Sequence, residues 1–283
     1  MDNDKAKNIR ENLKADCTQC FGLCCTALHI AASSDFAINK PAGIPCPNLQ
    51  RDFRCNIHVK LRDEGFVGCT VFDCLGAGQK VSQDTFGGQS WQEHTDISDS
   101  MFRVFPVMQQ LYEMIAYITE ALTYNISHSL QVRLNDQLDR LQALTDMDAD
   151  RLLSLDVIQC RFPVNELLVE TSQYIRSELS SHFFMIKIGK TCRGVDWIGK
   201  KLNDKDLRTT DLRGAYLIAA DLRNSDLRGV DFIGADLRDA NVSGANLSTS
   251  MFLTQMQINS AIGDDKTILP KHIEPPSHWQ NGK

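Results

Sequence analysis

The sequence lacks most of what would mark a secreted, membrane-spanning or nucleotide-driven protein. Its first sixteen residues, MDNDKAKNIRENLKAD, are charged throughout and hold no apolar core, so no signal peptide is read. Long hydrophobic runs are missing too. The most apolar stretch, 104–124, is broken by Gln109, Gln110, Glu113 and Glu120, which predicts a packed helix rather than a membrane span. No GxSxG and no HExxH occurs. LGAGQKVSQ, residues 75–83, has glycines and a lysine without the GxxxxGK[ST] spacing that cradles phosphates, and it reads as a turn. The neighbouring Asp264 and Asp265 read as solvated tail residues rather than an acid–base pair. Charge of one sign is also scarce. The net charge is only −6 over 283 residues, which gives no global attraction to nucleic acid or to an anionic membrane. These absences predict a cytoplasmic, non-catalytic protein with no direct nucleic-acid or membrane partner.

What is present is cysteine, crowded at one end. Eight of the ten cysteines precede residue 75: Cys17, Cys20, Cys24, Cys25, Cys46, Cys55, Cys69 and Cys74. The surrounding chain is rich in Gly, Pro, Asn and Asp, so it buries little apolar surface and needs another staple. In a reducing cytosol such a pattern points to metal or thiol chemistry before disulfides. Cys17-x2-Cys20 allows two thiolates from one turn to reach one metal. Cys24 and Cys25 are neighbours, with Cα atoms about 3.8 Å apart. A disulfide between them would be strained, since bridged Cα atoms are rarely closer than about 4.4 Å. Neighbouring thiols serve two ligand sets more naturally, or one of them bridges two ions. Eight thiolates suit two four-thiolate zinc sites, a metal cluster, or an iron–sulfur site with a structural zinc. Crowding speaks against a nucleophile, which works alone with a base. Cys160 and Cys192 stand apart and read as small buried hydrophobes. His29 and His58 are near enough in sequence to join a site, although a lone His there more often faces solvent.

Helical spacing marks the middle of the chain. Phe102, Phe105, Met108, Leu111, Ile115 and Ile118 predict one helix, started or kinked at Pro106. Leu130, Leu134, Leu138 and Leu141 predict a second, Leu152 to Ile158 a short third, and Leu167 to Leu179 a fourth after Pro163. Together they make a small antiparallel bundle.

Beyond residue 190 the period becomes five. From Trp197 to Phe252 every fifth residue is apolar, twelve in succession, and the later repeats carry Ala or Ser two places earlier. The place just before is mostly Asp or Asn, from Asp206 to Asn246. In an α-helix residues five apart fall about 140° apart, and a strand alternates every two. Neither explains five, whereas a squared coil with one pentapeptide per side does.

With units such as ADLRN and GADLR, this tract resembles the pentapeptide-repeat proteins. The resemblance implies a right-handed quadrilateral β-helix of about three coils, four repeats to each, with the apolar and small residues inward. It also implies that the tail QINSAIGDDKTILPKHIEPPSHW caps the open end. Cys17 to Cys74 is similar to a bacterial zinc- or iron-binding family with a CxxCxxxCC head; the matching pieces are CTQCFGLCC, CPNL, RCNIH and GCTVFDC. LRDEGFVGC stands where that family has Arg-Pro before its last Cys pair, which leaves the metal open.

The expected fold is therefore mixed α and β. It comprises a Cys-rich metal-binding head (1–95), a helical bundle (96–190), a pentapeptide-repeat β-helix (191–256) and a C-terminal cap (257–283). The expected function is a metal-binding scaffold or sensor for a protein partner, with the eight head cysteines as ligands and zinc, or else an iron–sulfur cluster, as cofactor. The alternatives are a thiol-redox protein and an antibiotic- or toxin-target protector that mimics DNA on a topoisomerase, as some pentapeptide-repeat proteins do. Charge weakens that last reading, because 196–254 holds nine acidic against eight basic residues, a balance of −1. Length weakens it too: three levels at about 4.8 Å reach about 14 Å, against about 34 Å for a DNA turn.

Overall fold

The computed structural model describes residues 2–182 and 191–279. The chain divides into two compact units, Met1–Leu168 and Val169–Lys283. Residues 183–190 of the expected bundle region and 280–283 of the expected cap lie outside the described residues.

The first unit is helical. It holds α1 (Asp2–Asn12), α2 (Leu23–Ala27), α3 (Val67–Val71) and α4 (Ala77–Gln79), and α4 runs straight into a π-helical turn over Lys80–Thr85. After these come α5 (Ser98–Ala121), α6 (His128–Thr145) and α7 (Ala149–Leu153), and α8 (Val157–His182) begins in this unit. Helix α5 is the axis. Its residues Met101, Val104, Phe105, Met108, Leu111 and Ile118 are fully buried, at the 3.6-residue spacing of one apolar face. It lies against α1, α2, α6 and α7. Each such side chain contributes about 1.5–3 kcal/mol by leaving water. Ser127 and Asp148 accept from the backbone N–H groups of Leu130 and Arg151 and so begin α6 and α7. The prolines do not start helices. Pro106 sits inside α5 and Pro163 inside α8, each within a helix that tertiary packing carries past it.

The Cys-rich head is tied to α5 by aromatic rings. Phe21, Phe53, Trp91 and Phe102 form a row with successive centroids 5.1, 5.8 and 5.5 Å apart. Trp91 Nε1 donates to the carbonyl of Phe21 at 2.7 Å.

The second unit corrects the expected β-helix. Among the described residues there is no β-strand, and helix is the dominant regular structure of the chain. The repeat tract is a succession of turns stitched by isolated parallel bridges, each joining residues twenty apart, from Thr191–Asp211 to Asp231–Met251. The physical reason lies in the backbone. A left-handed residue recurs at every fifth position from Gly194 to Gly244, filled by Gly or by Asp204, Thr209, Ala219, Asn224 and Asp239. Such a residue turns the chain before two successive bridges can form. The inward positions follow the sequence pattern. Leu212, Leu217, Leu222, Leu227, Phe232, Val242 and Leu247 are wholly buried, with alanines between them. Helix α9 (Gln255–Ser260) and the tail pack on this core through Ile258, Ile273 and Trp279.

Most Arg–Asp pairs close within one repeat rather than between levels: Arg223–Asp221 and Arg228–Asp226 are 2.7 and 2.6 Å apart. A buried charged group interrupts this pattern. Asp211 pairs with Arg176 of α8 at 3.4 Å and with Arg193 at 2.5 Å. Burial pushes its carboxyl up, yet the three arginines Arg193, Arg213 and Arg176 outweigh burial and hold it below its ordinary value. Asp231 goes the other way. Its Oδ2 lies 3.3 Å from Arg213 Nε without hydrogen-bond geometry, and is left without a hydrogen-bond partner. Burial dominates there and pushes Asp231 up to about 6.

Candidate functional site: the cysteine-rich head

Short elements bring the eight thiols into one region. Helix α2 carries Cys24 and Cys25, and begins after Gly22, whose φ of 66° is left-handed. A Cβ on Gly22 would stand 2.8 Å from Leu49 Cδ1, so glycine lets the turn press against that side chain. Cys46 follows: its N–H donates to the carbonyl of Cys25 at 2.9 Å. Leu49 and Cys55 form an antiparallel bridge that returns the chain beside itself. Cys69 lies in α3, and Cys74 directly precedes two left-handed residues, Leu75 and Gly76.

Several sulfurs meet backbone donors. Cys20 is approached by the N–H groups of Leu23 and Gly22, Cys46 by Asn48, Cys55 by Ile57, and Cys74 by Gly78 and Gly76. Such donors favour negative charge on sulfur. Burial opposes them and prevails: it pushes Cys20 up to about 11 and Cys69 up to about 12. Cys24 and Cys25 form a pair with Sγ atoms 3.9 Å apart. Cys24 is held protonated by its hydrogen bond to Cys25, and the same bond lowers Cys25, helped by the charge of Lys40.

Lys40 is the residue that sequence reasoning missed. It is 2% exposed, and its Nζ donates to the carbonyls of Thr26, Leu28, Pro41 and Ile44 at 2.5–3.0 Å. It therefore clamps the end of α2 to the segment leading into Cys46. A lone lysine before a proline carries no sequence signal of that role.

All eight head cysteines are free thiols, as are Cys160 and Cys192. Cys192 packs against the repeat core, Cys160 is partly buried, and His29 and His58 are exposed. Among the described residues, no three or more of His, Cys, Asp or Glu stand where they could hold an ion. The donors nevertheless suit zinc or iron in kind, being soft thiols. Glycine at position 78 lets two of the thiols come close: a Cβ there would lie 2.8 Å from Cys20 Sγ and 3.7 Å from Cys74 Sγ. No helix among the described residues is long and apolar enough to cross a membrane.

The family model of pentapeptide repeats matches residues 201–248, in eight copies. YybG of Bacillus subtilis (strain 168), described as uncharacterized, is 50% identical over 273 residues, covering 96% of this chain and 97% of its own. Two solved structures are pentapeptide repeat proteins. One, from the cyanobacterium Cyanothece 51142, is 22% identical with a TM-score of 0.20 and matches 30% of this chain. The other, from the Arabidopsis thaliana thylakoid lumen, is 28% identical with a TM-score of 0.16 and also matches 30%. The chain spans 66% and 57% of their lengths, respectively. On the repeats and the full-length likeness together, the chain is a pentapeptide-repeat protein of the family to which YybG belongs.

Proposed function

We propose that the protein is a non-catalytic metal-binding module: the Cys-rich head holds metal through Cys17, Cys20, Cys24, Cys25, Cys46, Cys55, Cys69 and Cys74, and the repeat tract serves as a scaffold for a protein partner. The observation that carries this reading is the gathering of eight free thiols into one head. Zinc is the first expectation. When bound it supplies cross-linking and charge neutralisation; the chain's own part is to present thiolates and aim N–H groups at them.

Thiol-redox chemistry is the second reading, favoured by the Cys24–Cys25 pair and the lowered Cys25 thiol. DNA mimicry on a topoisomerase has less support, since the Asp and Arg columns neutralise one another within single repeats. Anaerobic purification followed by metal analysis and a visible spectrum separates the readings. Colourless protein with about one or two zinc per chain supports the proposal. Brown protein with iron and sulfide moves the working site to a cluster. Absence of metal, together with unchanged stability when all eight cysteines become Ser, refutes metal binding.

A further inference from the structure

The second half of α8 lies on the repeats through polar contacts. Ser172, Arg176 and Ser180, all in the second unit, are buried. They stand four residues apart and so share one face of the helix. Arg176 Nη1 donates to the carbonyl of Thr209 at 3.3 Å, and its Nη2 donates to Asp211 Oδ2 at 3.4 Å. Ser180 Oγ is hydrogen-bonded to Thr209 Oγ1 at 3.2 Å. Leu179 presses on the coil beside them: a Cβ on Gly229 would stand 2.8 Å from its Cδ1. On this side of the coil Thr209, Thr210, Asp211, Val230 and Asp231 are all buried.

The two carboxylates at this junction are served unequally. Asp211 draws on Arg176, Arg193 and Arg213. Asp231 has the N–H of Ile233 on Oδ1 and no hydrogen-bond partner on Oδ2. Arg213 Nε is shared, 3.4 Å from Asp211 Oδ1 and 3.3 Å from Asp231 Oδ2, and its buried Nη2 has no hydrogen-bond partner. The groups that face Asp231 are the Ser172 hydroxyl and Arg176 from α8, and the Ile233 N–H, Arg213 and Asp211 from the repeats. Glu170 and Glu178 of α8 are exposed. A charged Oδ2 needs donors that this junction does not supply, and lifting α8 would admit water to it.

We infer that residues 169–182 of α8 form a proton-operated arm, docked on the repeats while Asp231 is protonated and released more readily once Asp231 is ionised. Release opens the Asp211–Asp231 side of the coil to solvent. The sign follows from burial, which raises the docked carboxyl from 3.8 to about 6. Docking is therefore strongest at low pH and weakens as pH rises through about 6. With the released carboxyl at its ordinary value, the docking constant falls about tenfold from about pH 5 to about pH 7.5. None of this depends on what the head binds.

Native-state hydrogen exchange of the full chain tests the arm, with each rate corrected for the intrinsic effect of pH. Amides of 172–180 are expected to exchange through an opening that low urea leaves unchanged, and that is about tenfold more populated at about pH 7.5 than at about pH 5. Amides of Leu217 and Leu222 in the core are expected to respond to urea, as global unfolding does. Asp231→Asn is expected to keep the opening and lose its pH dependence. Ser180→Ala is expected to raise the opening at both pH values alike, because it loosens the arm without touching Asp231. If 172–180 exchange only together with the core amides, the arm does not open by itself and the inference falls. It falls equally if the wild-type opening is the same at both pH values, a comparison that needs neither variant to fold, or if Asp231→Asn retains the wild-type dependence.

Discussion

Asp231→Asn offers the sharpest test of the energetics inside the repeat core. Asp231 is wholly buried, its Oδ1 accepts the N–H of Ile233 at 3.0 Å, and its Oδ2 has no hydrogen-bond partner. Burial raises its carboxyl from the ordinary 3.8 to about 6. The folded state therefore holds the proton more tightly than the unfolded chain. Any destabilisation from ionising this group is absent below about pH 3.8, grows as pH rises, and is complete above about pH 6. Each tenfold change in proton affinity is worth 1.36 kcal/mol, so the full effect is about 3 kcal/mol, of which about 2 kcal/mol develops between about pH 4.5 and 8. Asparagine keeps the Oδ1 acceptor and cannot ionise. Its loss of attraction to Arg213 is a nearly constant offset across that range. Urea unfolding, followed by the fluorescence of Trp197 and Trp279 in a Trp91→Phe background, reads this core directly, because both remaining indoles pack on it. The stability of Asp231→Asn relative to its parent is expected to rise by about 2 kcal/mol from about pH 4.5 to 8. A difference that stays flat with pH would refute the claim that burial, rather than the Arg213 contact, governs this carboxyl.

Four further outcomes concern the same core and its rim. Phe232→Ala should cost about 3–5 kcal/mol in the same assay, since the ring is wholly buried, whereas Arg223→Ala should have a far smaller effect, because that side chain is 54% exposed and its ion pair with Asp221 is screened by solvent. Thr254→Ala removes a capping box with Gln257 at the start of α9 and should cost about 1 kcal/mol; Gln257→Ala should cost more, because its amide also donates to the carbonyls of Phe232 and Ala235.

Much of this molecule was legible because a regular spacing projects onto one face. The inward column of the repeats follows from a period of five, and Leu217, Phe232 and Val242 are buried as that period requires. The apolar faces of α5 and α6 follow from the 3.6-residue period in the same way. What the sequence by itself could not determine depends on contacts between distant residues. Whether the repeats form strands is decided by a left-handed residue in every pentapeptide, and at Thr209 and Ala219 no glycine announces it. Whether a proline starts a helix is decided by packing on both sides of it, as at Pro106 and Pro163. Lys40 gains its role from four carbonyls up to fourteen residues away, and no local pattern encodes that. Periodicity is a property of the chain alone, whereas burial and charge pairing arise only when separate segments meet.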